Sequence, residues 1–340
     1  MPHEANANLL QWLAKETPED VIEPDLPIVD PHHHLWDLRT YNDDEILREF
    51  QHKVYLCEEI ANEIKLSGHN VIQTVFAQCG AFYRGSGEEA MKCVGETEFV
   101  NGIAAMSRSG RYGESEICAG IFGYADLRAG KDVERVLRAH MEASSNFRGI
   151  RSAFPRDLND KFLEGYSVLG KLGLSFDNYH PDYTRLPTLA KLGQKFPEVT
   201  IIINHLGGKI DPNDTLDDQA SWRECIDKIS KCPNAVMKVG GAQQRVGAWE
   251  PPFHCNLRKS PISSEELCNV LYDRYVYVLE AFGSNRCMFE SNFPVDKECV
   301  SYRTLWNMFK LLAKRAGLSA SEKAAIFSRT AQSVYQLNQN

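Results

Sequence analysis

Residues 28–37 read IVDPHHHLWD, a short apolar run that ends directly in three histidines. The run predicts a strand over 27–30, because short apolar runs of this kind are typical of buried strands. Alternate side chains of an extended chain point to the same side, so the imidazoles of His32 and His34 should converge, with His33 turned away. Two imidazoles placed in this way suit a shared metal ion or an anionic substrate.

Seven further apolar runs follow along the chain, and a helical pattern separates each run from the next. We predict that they form strands at 71–77, 117–124, 147–151, 174–177, 199–204, 235–240 and 287–291. Helices are predicted between them at 57–67, 87–107, 131–144, 160–172, 184–195, 218–230 and 263–282, and two more close the chain at 301–315 and 321–336.

This alternation of strands and helices determines the expected fold class. It favours parallel pairing with right-handed crossovers, and eight such units close into a (β/α)₈ TIM barrel. The alternative is an open doubly wound sheet, which usually carries a glycine-rich phosphate loop after its first strand. This chain has His32, His33 and His34 at that point. The sequence therefore predicts an α/β TIM barrel.

The predicted barrel occupies residues 27–337 and follows an N-terminal extension over 1–26. A chain of 340 residues suits one barrel domain of this kind. The longest stretch without a predicted helix or strand is 241–262, which follows the seventh strand on the face where barrels keep their active sites. We expect this loop to cover the substrate, with Trp249 among its contacts.

Composition argues against several classes of partner. The formal net charge is −8 and no basic stripe is present, so nucleic-acid binding is not expected. The first residues lack the basic start and apolar core of a signal peptide, and no apolar run reaches the roughly 18 residues that span a bilayer. None of the ten cysteines is spaced as C-x-x-C. We expect a cytoplasmic protein with reduced structural thiols and no membrane partner.

Polar residues also lie where three later strands end. His205 follows the sixth strand, Arg151 ends the fourth, and Glu290 and Asn292 lie at the end of the eighth. By alternation, Glu290 and Asn292 should share a face. Barrel enzymes build their active sites at the carboxyl ends of their strands, so we expect these side chains to meet the histidines of the first strand.

The order of these motifs resembles the second amidohydrolase family, TIM-barrel hydrolases and decarboxylases related to sugar lactonases and 2-pyrone-4,6-dicarboxylate lactonase. The resemblance extends over nearly the whole chain. The matching segments are VDPHHHLWD (29–37), FRGIR (147–151), IIINHLGGK (201–209), NAVMKVGG (234–241), RCMFESNFPVD (286–296) and LSASEKAAIFSRTAQSVYQL (318–337).

The resemblance implies a small-molecule substrate, and either hydrolysis of a lactone, amide or ester or non-oxidative decarboxylation of a ring acid. It implies that His32, His34 and His205 are the site histidines and that Arg151 holds a substrate carboxylate. A divalent metal, zinc first, would lower the pKa of a bound water to about 7. Without a metal, protonated histidines and Arg151 would polarise the carbonyl while Glu290 activates water. Barrels of this type often pair, so a homodimer is an expected assembly.

One position departs from the family pattern. The family commonly has an aspartate, acting as metal ligand or general base, where this chain has Asn292, whose neutral amide cannot accept a proton. Glu290 stands where the family usually has glycine. We expect Glu290 to replace the missing carboxylate as base or ligand, with His205 and Asn292 beside it. The alternatives are a structural ion pair between Glu290 and Arg151, and a barrel that binds a ligand without turnover.

Several further residues are weaker candidates. Gln78, after the second strand, Tyr83 in the following loop and His180, after the fifth strand, are candidate substrate contacts. Lys238 in the seventh strand is another, although a buried ion pair is the slightly favoured interpretation for it. Four histidines without a motif are predicted to lie at the surface: His3, His52, His69 and His140.

Overall fold

A computed structural model describes residues 6–40, 50, 52–152, 154–156, 158–208, 214–242 and 259–338. Eight parallel strands form one sheet whose order follows the order of the chain. They are β1 (Ile28–His33), β2 (Val71–Ala77), β3 (Glu116–Gly123), β4 (Phe147–Arg151), β5 (Ser175–Asn178), β6 (Ile201–Ile203), β7 (Ala235–Val239) and β8 (Cys287–Phe289). All eight predicted strands are present, and their ends differ from the prediction by a few residues.

The first and last strands meet and close the sheet into a barrel. The backbone N–H of Asn292 donates to the carbonyl oxygen of His32 (2.9 Å), and that of His34 donates to Phe293 (2.7 Å). His33 and Phe293 form a parallel bridge at the same place. We call this contact between residues 31–34 and 290–293 the seam. The predicted TIM barrel is confirmed.

Helices surround the barrel. They are α1 (Ala7–Leu13), α2 (Cys57–Ser67), α3 (Val94–Arg108), α4 (Val133–Ala143), α5 (Asp160–Leu172), α6 (Leu186–Lys195), α7 (Leu216–Ser230), α8 (Ser264–Phe282) and α9 (Tyr302–Arg315). The predicted helix over 321–336 is divided into α10 (Ala320–Ala324), a π-helical turn (Ala325–Arg329) and α11 (Thr330–Val334). Ser319 and Glu322 form a capping box that fixes the start of α10.

Within the described ranges, apolar side chains form three clusters, the smallest of which holds Leu9 and Trp12 of α1 against Cys299. One lies between the strands and the outer helices. Another lies inside the barrel, where Val29, Phe122 and Met288 meet Tyr335 and Leu337 from the C-terminal segment. The barrel is therefore a packed core with its functional groups confined to the strand ends.

Some features differ from the sequence-based expectation. A short antiparallel pair, Trp36–Asp37 with Val54–Tyr55, follows β1, and α1 was not predicted. Among the described residues, eight cysteines are free thiols, whereas Cys299 is disulfide-bonded, so the expectation of reduced thiols is wrong at Cys299. Spacing along the chain does not show which thiols the fold brings together.

Two further expectations concern the predicted lid and membrane-spanning segments. Residues 243–258 of the predicted lid, including Trp249, lie outside the described residues. Among the helices that are described, none is long and apolar enough to cross a membrane.

Candidate active site

Three imidazoles meet at the carboxyl ends of β1 and β6. The ring centroid of His32 lies 4.8 Å from that of His34 and 4.7 Å from that of His205. The Nε2 atoms of His32 and His34 are 3.2 Å apart. His33 points the other way, where its Nε2 contacts the hydroxyl of Thr74 (2.9 Å). The converging pair predicted from H-x-H spacing is therefore present.

Glu290, just beyond β8, lies against two of these imidazoles. Its Oε1 accepts hydrogen bonds from the Nδ1 (2.8 Å) and the backbone N–H (3.1 Å) of His205. Its Oε2 lies 2.9 Å from Nδ1 of His32, and both side chains are fully buried. Glu290 thus joins the histidine cluster rather than pairing with Arg151, which was one of the alternatives. We call His32, His34, His205 and Glu290 the histidine–glutamate cluster.

Burial and a hydrogen bond influence the protonation of His32 and His34. Nδ1 of His34 lies 2.7 Å from the carbonyl oxygen of Ala77, which can only accept, so Nδ1 carries the proton and Nε2 a lone pair. Burial holds the pKa of His34 well below its usual value, and the pKa of His32 is lowered by burial and by the charge of Lys238. Both shifts favour the neutral form of these two imidazoles.

The backbone around His205 is shaped to bring its ring to Glu290. His205 has a φ of 52° and Leu206 a φ of 57°, in the left-handed region that non-glycine residues seldom adopt. Gly241, with a φ of 68°, packs directly against the His205 ring, and a Cβ there would overlap it. The His205 ring is therefore held between its own strained loop and Gly241, which follows β7.

Asp30 accepts hydrogen bonds from both sides of the seam, beneath the cluster. Its Oδ1 accepts from the backbone N–H groups of Ser291 (3.0 Å) and His32 (3.3 Å), and its Oδ2 accepts from the Tyr302 hydroxyl (2.9 Å). The strand register shifts between Asp30 and His33. This irregularity lets Val29 point into the barrel while His32 also faces the site.

A buried ion pair lies beneath the cluster. Lys238 Nζ donates to Asp177 Oδ2 (2.7 Å), and both side chains are inaccessible to solvent. The same ammonium lies 3.2 Å from Nδ1 of His32. The sequence left two roles open for Lys238, and the structure places it in the ion pair.

A cavity of about 300 Å³ opens beside the histidines. Arg151 and His34 line one side, and Arg151 donates to the carbonyl oxygen of Gln78 (2.7 Å). The Gln78 side chain in turn hydrogen-bonds the hydroxyl of the half-buried Tyr83. The remaining wall is mostly apolar and includes Trp36, Leu38, Phe50, Ala81 and Val295. The cavity therefore offers a cationic group beside an apolar surface.

Two predicted site residues lie elsewhere. The side-chain amide of Asn292 donates to Asp296 Oδ1 (3.0 Å), because β8 ends at Phe289 and Asn292 has a φ of 54°, which breaks the alternation with Glu290. His180 contacts Arg185 through Nε2 (2.6 Å) and accepts from the backbone N–H of Asp182 through Nδ1 (3.0 Å). Neither residue joins the histidine–glutamate cluster.

Sequence reasoning also missed several residues. Trp36 shares the parity of His34 and its ring stacks 6.1 Å from that imidazole, so alternation could have found it. Glu96 gave no signal, yet it is fully buried and accepts from the backbone N–H groups of Cys79 and Ala81 (3.0 Å each) on the cavity wall. Three histidines predicted at the surface are buried, because each has polar or aromatic partners in the fold: His52, His69 and His140.

The cluster has the donors of a divalent-metal site. In the described part of the chain, one group of potential ligands is close enough to share an ion: His32, His205 and Glu290, with ligating atoms within 4.8 Å of one another. His34 adds a further imidazole at the same point. Metal-binding histidines usually donate their second N–H to a carboxylate or carbonyl, as His205 does to Glu290 and His34 to Ala77. The residues present therefore fit a zinc-like cation.

Comparisons with known sequences relate this chain to amidohydrolases and to a lactonase. A family model described as Amidohydrolase matches residues 116–337. The uncharacterized protein y4mH of Sinorhizobium fredii is 30% identical over 337 residues, which cover 92% of this chain and 99% of that protein. L-fucono-1,5-lactonase of Burkholderia multivorans is 26% identical over 255 residues, which cover 69% of this chain and 80% of the lactonase.

Solved structures share the fold. A crystal structure of an amidohydrolase from Burkholderia multivorans with bound zinc superposes with a TM-score of 0.69 at 20% identity, covering 92% of this chain and 99% of that one. A 5-carboxyvanillate decarboxylase from Novosphingobium aromaticivorans, complexed with manganese, gives a TM-score of 0.60 at 13% identity, covering 93% of this chain and 97% of that one.

Proposed function

Because the chain belongs to the amidohydrolase family, we propose that it hydrolyses a small cyclic ester that carries a carboxylate, by attack of an activated water. The observation that carries this proposal is the shared cavity of His34 and Arg151 beside the histidine–glutamate cluster. A volume of about 300 Å³ lies at the small end for ligand pockets, which favours a substrate with one ring. Similarity to a lactonase supports an ester within that ring.

A divalent cation would be held by His32, His34 and His205, with zinc as the first candidate. Bound there, it would polarise the ester carbonyl and lower the pKa of a water to about 7. Glu290 serves this arrangement by orienting His205 and contacting His32, which is a change from a direct role as base. Its complete burial keeps its carboxylate away from the substrate.

The remaining groups bind the substrate and exclude water. Arg151 presents a cation to the carboxylate of the ring, and its bond to the Gln78 carbonyl fixes its direction. Trp36 and Phe50 cover the ring with apolar surface, their centroids 5.2 Å apart. A drier cavity would strengthen the electrostatic attraction of Arg151, and of a cation held by the histidines, for the developing negative charge.

Decarboxylation of a ring acid is the competing reaction, since a ring carboxylate beside a bound cation would also fit this cavity. The test uses protein freed of metal and then supplied with zinc or manganese. The panel contains sugar 1,5-lactones, pyrone carboxylates, neutral lactones and aromatic ring acids. We expect proton release without carbon dioxide from a carboxylated lactone, abolished in His34→Asn and retained in the surface variant Glu142→Gln. Release of carbon dioxide would select the decarboxylase, and binding with no turnover of any compound would leave a ligand-binding barrel.

A further inference from the structure

Two side chains of opposite charge approach the same atom, Nδ1 of His32. Glu290 Oε2 lies 2.9 Å from it and Lys238 Nζ lies 3.2 Å from it. Nδ1 of a neutral imidazole either donates or accepts a hydrogen bond, and it cannot do both. A hydrogen bond to Glu290 would need a proton on Nδ1, and Oε2 has no hydrogen-bond partner among the described residues. Lys238, which has only donors, requires a lone pair on Nδ1. The two contacts therefore favour different tautomers of His32.

The tautomer that Lys238 favours gives each of the nitrogen atoms a partner without a metal, and it leaves Glu290 Oε2 without one. Nδ1 of His32 accepts from the ammonium, so its Nε2 carries the proton and can donate across 3.2 Å to Nε2 of His34. Nε2 of His34 is an acceptor, because its Nδ1–H is engaged by the carbonyl of Ala77. Each of these nitrogen atoms then has a partner of the correct kind. In this state, however, His32 offers no Nε2 lone pair to a cation.

The tautomer that Glu290 favours is complete only with a cation. Nδ1 of His32 donates to Glu290, and Nε2 then carries a lone pair. It faces the lone pair on Nε2 of His34 across the same 3.2 Å. Two lone pairs at this distance repel each other unless a positive charge lies between them or beside them. A divalent metal would supply that charge and use both nitrogens as ligands.

We propose that Lys238 is a positioning residue that holds His32 in the metal-excluding tautomer, in opposition to Glu290, and so sets the affinity of the cluster for its cation. Lys238 suits this role because it is fully buried and anchored to Asp177 at 2.7 Å, which leaves its ammonium directed at the cluster. The inference rests on the proposed function in one respect, namely that the cluster binds a divalent metal. The state of His32 without metal is independent of that premise.

The test changes the ion pair without changing the net charge beneath the cluster. In Lys238→Met/Asp177→Asn, the donor to His32 is removed together with its counter-charge, so no unpaired buried ion remains. Nitrogen-15 NMR of metal-free protein with labelled histidine reports the tautomer directly, and the His32 signals are those lost in His32→Gln. We expect the proton on Nε2 in the unmodified protein and on Nδ1 in the double variant. Zinc affinity, from competition with a coloured chelator, should rise about tenfold.

Two variants complete the design. Lys310→Met removes another buried lysine–histidine contact, Lys310 Nζ to Nδ1 of His69 (2.8 Å), and should leave zinc affinity unchanged. Glu290→Gln turns the acceptor into a potential donor, so it should keep the proton on Nε2 and weaken zinc binding. If the double variant does not fold, the NMR spectrum of the unmodified protein and the Glu290→Gln result still decide the matter.

The outcomes separate the two proposals. A proton on Nδ1 of His32 in the metal-free unmodified protein would overturn the role of Lys238, as would zinc affinities of the folded double variant and the unmodified protein that agree within about twofold. If no zinc binds to any variant, the metal part of the proposed function fails, and with it the influence of Lys238 on affinity. The tautomer measurement would then still show whether Lys238 fixes His32.

Discussion

Glu290 Oε1 accepts two hydrogen bonds from His205, one from Nδ1 and one from the backbone N–H. One oxygen therefore fixes both the ring and the strained backbone of this histidine. The arrangement explains how a carboxylate serves the site although Asn292 occupies the position where the family commonly has aspartate. Glu290 supplies the negative charge, whereas the side-chain amide of Asn292 donates a hydrogen bond to Asp296.

Replacing Glu290 with glutamine should weaken zinc binding by about 10- to 100-fold, as loss of a carboxylate behind metal-binding histidines usually does. The amide can still accept from His205, but it has no second acceptor for His32. Turnover at low zinc should fall with it and recover partly at high zinc. Metal titration and activity at several zinc concentrations measure both effects. Unchanged zinc affinity in folded Glu290→Gln would contradict the orienting role.

Gly241→Ala should displace the His205 ring, since the added methyl group would overlap it. A left-handed φ of 68° adds backbone strain of about 1 kcal/mol for any residue with a Cβ. Gly173→Ala is the matched control, because its φ is 66° and nothing lies within 4 Å of the added carbon. We expect similar strain in both variants, measured by denaturant unfolding, with loss of zinc binding and turnover confined to Gly241→Ala. Equal activity in the two variants would refute this account of His205.

Arg151→Lys should raise the KM for a carboxylated substrate by about 10- to 100-fold, because a hydrogen bond to a charged group contributes about 1.5–3 kcal/mol and lysine lacks the planar fork. The kcat should change less, since the interaction is already present in the bound substrate. Steady-state kinetics with a carboxylated lactone and its neutral counterpart measure the difference. Arg138→Lys on the exposed face of α4 is the control. An equal loss with both lactones would show that Arg151 does not bind the carboxylate.

Glu96 should make stability fall as the pH rises from about 4.5 to about 7. Burial raises the pKa of Glu96 to about 7 in the folded protein, from 4.5 when exposed. Within that window the folded protein holds a proton that the unfolded chain has lost, so raising the pH favours unfolding, by at most about 3 kcal/mol. Above pH 7 this contribution is constant.

Urea unfolding at several pH values, compared between the unmodified protein and Glu96→Gln, tests this dependence. The glutamine oxygen can still accept from Cys79 and Ala81, so the cavity wall should be retained. The variant should lose the decline between pH 4.5 and 7, whereas exposed Glu142→Gln should keep it. Parallel stability curves for Glu96→Gln and the unmodified protein would rule out Glu96 as the source.

The eight strands were predictable because most of them are short apolar runs that are almost completely buried. The helices from α2 onward were predictable because their apolar residues recur with helical spacing. The division of the last helix was not predictable, since the π-helical turn over Ala325–Arg329 lies in its interior and leaves no mark in the spacing of apolar residues. The pair Trp36–Asp37 with Val54–Tyr55 was missed because two-residue strands carry no usable period.

At the site, alternation succeeded where the chain stays extended and failed where it turns. It placed His32 and His34 correctly, and it failed for Asn292, two residues after Glu290, because β8 had already ended. His180 failed for a different reason: its partner is Arg185, five residues along, and no pattern in the sequence marks that contact. The ion pair of Asp177 with Lys238, beneath the cluster, can be recognised only once the strands are assembled.

The seam has one further consequence. His32 lies in the first strand and His34 directly follows it, and Glu290, which follows the last strand, contacts His32 and His205. A cation held by these histidines would therefore be linked through Glu290 to both ends of the barrel wall. Binding of a metal or substrate should therefore make the barrel harder to open between β1 and β8. Protection of β1 and β8 amides from hydrogen exchange should report on ligand binding, although neither strand's backbone touches the ligand.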